Sequence, residues 1–207
     1  YISDEDRSLN NVINVFKLIC KMDLNNKYEL HIFCNMKNPI KSDNICLHNR
    51  VSHDQIIKEL QKSEIWLYIP DVCRETYCIS ALEAQFAGCL CFVNDIGALK
   101  EVVGERGYIF NVNDTNEYRA KTIIKKLQNK KFITEKKQLM KKWIINQTWQ
   151  NRSIKWIELF KQNGYKLINN YKSLFENYYY YEYIDIDQND EYKSDNLKNT
   201  LHFINNY

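Results

Sequence analysis

An α/β fold, in which a parallel sheet is covered on both faces by helices, is the class the sequence predicts, on three observations. Runs such as 65–70 and 89–94 are apolar at successive positions, which marks strands buried on both faces. Segments with apolar residues at three-to-four spacing separate these runs, as crossovers between parallel strands require. The composition suits a packed domain: of 207 residues, 44% are apolar, 14% aromatic and 27% charged, with 5 Gly and 2 Pro. Those proportions exclude collagen-like, low-complexity and wholly disordered chains. The length accommodates one ordinary domain with an appendage, or two small ones.

The opening, Tyr1-Ile2-Ser3-Asp4-Glu5-Asp6-Arg7, has neither an initiator Met nor a leader's apolar stretch. The chain is therefore expected to begin inside a longer protein, at or just after a strand. Helical spacing follows over 9–22, then strand patterns over 28–34 and 44–48. Ser52 is placed to cap a helix over 53–63, with His53 at its start. The buried strand 65–70 leads into a helix over 77–87, stopped by Gly88 as a left-handed cap. Strands over 89–94 and 107–110 complete a Rossmann-like layer, whose ligands bind at the carboxyl ends of the strands. From about 116 to 177 the pattern is helical only. The expected organisation is a Rossmann-like lobe over 1–162, then a C-terminal helix and an acidic, Tyr-rich tail over 163–207. That tail reads equally as a linker, a docking strand or the start of another domain.

The net charge of +3 hides an asymmetry. Residues 177–207 carry six acids against Lys193 and Lys198, a net of −4, so the remainder carries about +7. Between Arg119 and Lys142 ten basic residues accompany a single acid, Glu135. Such a block is a footprint for nucleic acid or anionic membrane, or the solvated face of helices packed through Ile123, Ile124, Leu127, Leu139 and Trp143. Phe132 is the one aromatic residue among the basic ones, too sparse for interleaving, which favours the packed helices and no nucleic-acid partner.

Seven cysteines, at 20, 34, 46, 73, 78, 89 and 91, are odd in number and form no CxxC. Free thiols in a reducing cytoplasm fit better than a disulfide frame or a zinc site. Three N-x-S/T matches, at Asn113, Asn146 and Asn151, are expected by chance in so Asn-rich a chain. The excess of Asn, Lys, Ile and Tyr points to an AT-rich genome. No apolar run approaches the ~18 residues of a membrane span.

The informative stretch is Ile65-Trp66-Leu67-Tyr68-Ile69-Pro70, followed by Asp71 to Gly88. A loop feeding a helix at a strand's carboxyl end offers N–H groups and a positive dipole end to a phosphate. Glu75 lies at that entrance and Glu83 eight residues on, just over two helical turns, so both carboxylates are expected to face one cleft. Carboxylates bind hydroxyls and repel phosphates, so the pattern suits sugars flanking a pyrophosphate. Each residue also has a structural reading. Glu75 fits as a helix-entrance acid, Arg7 as a surface charge, Gly97 as a turn glycine, and His31 and His48 as strand histidines.

The stretch resembles the E-x7-E signature of retaining glycosyltransferases with the two-lobed GT-B fold, family 4 in particular. Ser3 to Leu9 resembles that family's S-x-x-x-R-G-L opening, with Ser8 where Gly is usual. The run 29–33 resembles its second strand. Leu47 to His53 resembles its turn near the nucleobase, with Asn49 in place of Gly. Asp95 to Gly104 resembles its donor-side loop, with Lys100 where Pro is common, and Trp149 to Phe160 its closing helix. The similarity covers about residues 1–162 and leaves the tail aside.

Resemblance implies the C-terminal, nucleotide-sugar-binding lobe of such an enzyme. Glu83 would take the ribose hydroxyls and Glu75 would approach the donor sugar as the catalytic carboxylate. Arg7, with the amides of Thr76, Tyr77 and Cys78, would neutralise the pyrophosphate. Asn49 and Arg50 would lie near the base, and Gly97 in the donor loop. A second basic residue common near the opening strand is here Ile2 or Ser3. The fold needs neither metal nor cofactor beyond the donor. The acceptor, a glycan, protein or lipid, and an N-terminal lobe are the implied partners. The alternatives are a catalytically inactive nucleotide-sugar-binding or scaffold module, and a sugar-nucleotide epimerase of the same fold. A dehydrogenase is disfavoured because no G-x-G-x-x-G follows a strand.

Overall fold

A computed structural model describes residues 1–3, 5–23, 28–72 and 75–164. The chain divides into two units, a compact one over residues 1–149 and a second from 150, whose described part ends at 164. The first unit runs α1 (Glu5–Met22), β1 (Leu30–Ile32), β2 (Ile45–Leu47), α2 (His53–Lys62), β3 (Ile65–Tyr68) and α3 (Ile79–Phe86). It continues through β4 (Leu90–Asn94), α4 (Leu99–Val103), β5 (Tyr108–Phe110), α5 (Asn116–Leu127) and α6 (Lys130–Ile144). A last helix, α7 (Trp149–Gln162), belongs to the second unit from Gln150 on, and in it the rings of Trp156 and Phe160 lie 5.8 Å apart.

Strands and helices alternate because the apolar period does. Along α1, Leu9, Val12, Ile13, Phe16 and Ile19 make one buried stripe. Its first turn carries Glu5 and Asp6 and its last Lys21, each on the end its charge suits. That charged first turn has no apolar period, so the helix begins four residues ahead of the expected residue 9. In β4 all five residues are buried. Leu90 and Phe92 join a core with α1 and α5, while Cys91 and Val93 join a second core with α2, α3 and α4. The two cores lie on opposite faces of the strand, which is the doubly covered arrangement the apolar runs predict.

Every strand pairing is parallel, but the hydrogen bonding falls into two ladders, β1–β2 and β3–β4–β5. Tyr1 stands between them. Its nitrogen donates to the His31 carbonyl at 2.6 Å, its carbonyl accepts from the Phe33 N–H at 2.9 Å, and its ring packs 6.3 Å from that of Tyr68. At the start of β5, a Cβ on Gly107 would sit 2.4 Å from the Cys91 carbonyl oxygen and 2.5 Å from Val103 Cγ1. Glycine there is what lets β5 close against β4 and α4.

Segment 95–104, read from sequence as a loop, contains α4. Flanking Gly97 and Gly104, both at positive φ, disguise a helix of only five residues. The basic segment folds as α5 and α6, which bury Ala120, Ile123, Phe132 and Met140. Arg119 is itself buried and donates to the carbonyls of Asn111 and Val112. Six cysteines are free thiols, and Cys73 lies outside the described residues. The readings of the acidic, Tyr-rich tail concern residues beyond 164 and lie outside them too. Among the described residues no helix is long and apolar enough to cross a membrane.

Candidate functional site

The site starts where β3 stops. Tyr68, 2% exposed, is held in the β3–β4 ladder opposite Val93. The chain leaves through Ile69 and Pro70, and the buried Asn94 amide anchors the Pro70 carbonyl at 2.8 Å. Tyr68 projects its hydroxyl to the strand's carboxyl end, where it donates to Glu75 Oε1 at 2.6 Å. Arg7 Nη1, from the first turns of α1, donates to the same oxygen at 2.9 Å. The Glu75 side chain is 13% exposed and that of Arg7 45%. The carboxylate beside it pushes the Arg7 guanidinium even further above its ordinary range. A guanidinium carries five donors, so one bond to Glu75 leaves capacity for an anion.

Cys78 turns the chain into α3 with φ 63° and ψ 75°, a left-handed conformation that costs a non-glycine residue about 1–3 kcal/mol. No side chain caps this N-terminus. Burial pushes the Cys78 thiol up to about 12, so it is neutral and not a thiolate nucleophile. Arg7, Glu75, Thr76, Tyr77 and Cys78 line one cleft of about 300 Å³ together with Tyr68. Among the described lining residues, Glu75 is the one acid.

Glu83 does not line that cleft. It lies on α3 with a side chain 15% exposed, and its Oε1 is 2.8 Å from His53 Nε2 at the first residue of α2. Helical spacing does not relate the two acids as the sequence leads one to expect: Glu75 precedes α3 by four residues, and left-handed Cys78 intervenes. The two carboxylates are not two turns apart on one helix. Asn49, at φ 55°, makes the left-handed turn after β2 without being glycine. The Arg50 N–H donates to Asn35 Oδ1 at 3.2 Å. Both residues belong to the turn that delivers His53, away from the cleft lining. Gly97, φ 56°, precedes Ala98, whose N–H holds the Glu75 carbonyl at 2.8 Å and so ties the donor-side loop to the entrance of α3.

Sequence reasoning missed two members. Tyr68 was legible only as a strand aromatic, although a phenol at the carboxyl end of a strand seven residues before Glu75 was a usable signal. His53 was read as a helix start, which it is, but its partner lies 30 residues away.

Chemically, the cleft joins a cation, the uncapped start of a helix and a carboxylate with a phenol. The first two suit a phosphate, the last two hydroxyl groups. No curated protein matches the chain. Residues 5–147 match the family model described as Glycosyl transferases group 1. That match spans well over half the sequence and encloses every element from α1 to α6, so the chain belongs to the group 1 glycosyl transferases.

Proposed function

We propose that this chain is the donor-binding half of a retaining glycosyltransferase, which moves a sugar from a nucleoside-diphosphate sugar to an acceptor hydroxyl. Family membership supports glycosyl transfer. The finer reading rests on one observation: Arg7, Glu75 and the uncapped entrance of α3 share a cleft at the carboxyl end of β3.

In this reading, Arg7 and the amides of Thr76, Tyr77 and Cys78 take the diphosphate and stabilise the charge that develops as it leaves. Glu75 and Tyr68 hold the guanidinium in place before the ligand arrives, so little reorganisation is left to the reaction. Glu75 faces the donor sugar. Glu83, oriented by His53, takes the ribose hydroxyls, with Asn49 and Arg50 toward the base and Gly97 in the donor loop. Arginine and helix-end amides supply the positive charge, so the transfer needs neither metal nor cofactor. A partner lobe presents the acceptor, whether glycan, protein or lipid. Free thiols support a reducing, cytoplasmic setting.

A second reading, an inactive nucleotide-sugar-binding or scaffold module, is favoured by Glu75 Oε1 already accepting from both Arg7 and Tyr68. Calorimetry with UDP, GDP and ADP, with and without EDTA, and a transfer assay on this chain and on a longer protein containing it separate the two. The proposal expects weak, EDTA-insensitive binding and turnover only when the second lobe is present. Binding without turnover in the longer protein favours the module. Turnover by the 207 residues alone would overturn the two-lobe reading, and no binding of any diphosphate would overturn both.

A further inference from the structure

The β1–β2 ladder presents a second cluster, which shares no residue with the cleft lining. The parallel register sets His31 directly beside Cys46. Glu29 precedes His31 by two residues and His48 follows Cys46 by two, so all four belong to the same face by strand alternation. Leu30 and Ile32 turn the other way, into the core. The Glu29 carboxylate, a His31 ring nitrogen and Cys46 Sγ all lie within 4.8 Å of one another. His31 Nε2 is 3.3 Å from Glu29 Oε2, and its Nδ1 is 2.9 Å from His48 Nε2. The His48 ring lies within 10° of parallel to both the His31 and the Phe33 rings, with centroids 5.1 and 4.4 Å away, which fixes the imidazole planes. Side chains of His31 and Glu29 are 35% and 61% exposed, so an ion reaches them from solvent.

We propose that Glu29, His31 and Cys46 form a site for a divalent cation of the Zn²⁺ class, with His48 orienting His31. A thiolate, an imidazole and a carboxylate are the donor set of zinc, whereas Mg²⁺ and Ca²⁺ take oxygen ligands. Tetrahedral bonds of about 2.0–2.3 Å set ligand atoms about 3.5 Å apart, so closing the cluster takes side-chain movements of about an ångström. A metal-bound imidazole donates its other N–H to an acceptor that fixes its tautomer, and His48 Nε2 stands at that place. On binding, the Cys46 thiol gives its proton to solvent and its sulfur pair to the ion. His31 binds as a neutral imidazole through Nε2, Glu29 binds as a carboxylate, and water completes the shell. Nothing is oxidised or reduced. The ion would clasp β1 to β2, a ladder of only three register pairs.

Titration of the metal-free 207-residue chain with Zn²⁺, Mg²⁺ and Co²⁺ tests this. One equivalent of Zn²⁺ should bind in preference to Mg²⁺, and Co²⁺ should give a thiolate-to-metal charge-transfer band. Cys46→Ser should abolish the band, His31→Ala should weaken Zn²⁺ at least about hundredfold, and His48→Phe about ten- to hundredfold. Thiol alkylation mapped by mass spectrometry gives a readout in the unaltered chain, where Zn²⁺ should protect Cys46. No stoichiometric Zn²⁺ binding, no protection of Cys46, or a band that persists in Cys46→Ser would overturn the site.

Discussion

Helices α2 and α3 both follow strands of parallel ladders, and they begin in opposite ways. Ser52 enters α2 in an extended conformation, and its hydroxyl accepts the Gln55 N–H. Thr115 and Asn129 do the same for α5 and α6. Cys78 enters α3 in a left-handed conformation with no side-chain cap, and this is the start that lines the cleft. The difference sets three capped helix starts apart from the one that lines the cleft, while the five-residue α4, entered through Ala98, also lacks a side-chain cap. At α2, α5 and α6 a hydroxyl or amide satisfies one of the first N–H groups. At α3 they stay uncapped beside a strained residue, which suits the anion of the proposed function.

Glu83→Gln is the strongest test of this contrast, because it acts on α3 without touching its start. If Glu83 takes the ribose as proposed, loss of that charge-assisted bond costs about 1.5–3 kcal/mol, roughly ten- to a hundredfold in affinity for any nucleoside diphosphate. Calorimetry with UDP, GDP and ADP reads it, and unchanged affinity with only a lower melting temperature would reduce Glu83 to a partner of His53.

The next effect concerns thiols at both ends of α3. Burial pushes Cys78 and Cys89 up to about 12. An unfolded thiol titrates near about 8.5, so above that pH the unfolded chain holds fewer protons than the folded one. The stability these thiols contribute is fully present below about pH 8.5 and is lost as pH rises toward 12, by at most about 1.4 kcal/mol per pH unit for each. Urea midpoints should fall between about pH 9 and 10.5, and less steeply in Cys89→Ala.

Ser52→Ala should lower stability by about 1 kcal/mol through its lost cap and leave diphosphate affinity unchanged. If affinity falls as well, the Ser52 cap also holds Asn49, Arg50 and His53 in their proposed places, and the contrast weakens. The smallest effect is expected at Glu75→Gln. The amide keeps an acceptor for Arg7 and Tyr68, so free diphosphate should bind within about twofold of wild type, a change below about 0.5 kcal/mol. Binding of the intact nucleotide sugar should fall. Equal titrations with both ligands would remove Glu75 from the donor side.

Much of this fold was legible because local period decides it. The helix expected over 53–63 is found at His53–Lys62, and the strand expected over 89–94 at Leu90–Asn94. Short elements escape that logic: α4 has five residues between two glycines and no room for a period to show. The split of the sheet into two ladders was not legible either, since pairing is a property of distant segments. The acids of the site stood out as charges in an apolar context. Their partners did not, because a tyrosine in a strand and a histidine at a helix start are locally ordinary. Cys46 and His31 are strand residues 15 apart in sequence, and only the parallel register makes them neighbours.

The far end of α3 has a consequence for how the site keeps its dimensions. The Cys89 N–H bonds the Ala84 carbonyl and the Gly88 N–H bonds that of Gln85, with Gly88 at φ 88°, which closes the helix in a Schellman turn. Left-handed residues therefore bracket α3 at both ends and forbid it to slide or lengthen. Its eight residues act as a gauge block, holding Glu83 about 6 Å along the axis from Ile79. One residue inserted between Ser80 and Leu82 would turn Glu83 by about 100° and advance it by about 1.5 Å. A carboxylate so displaced would leave His53, and in the proposed function the interval between the amides that take the diphosphate and the acid that takes the ribose would no longer match one ligand.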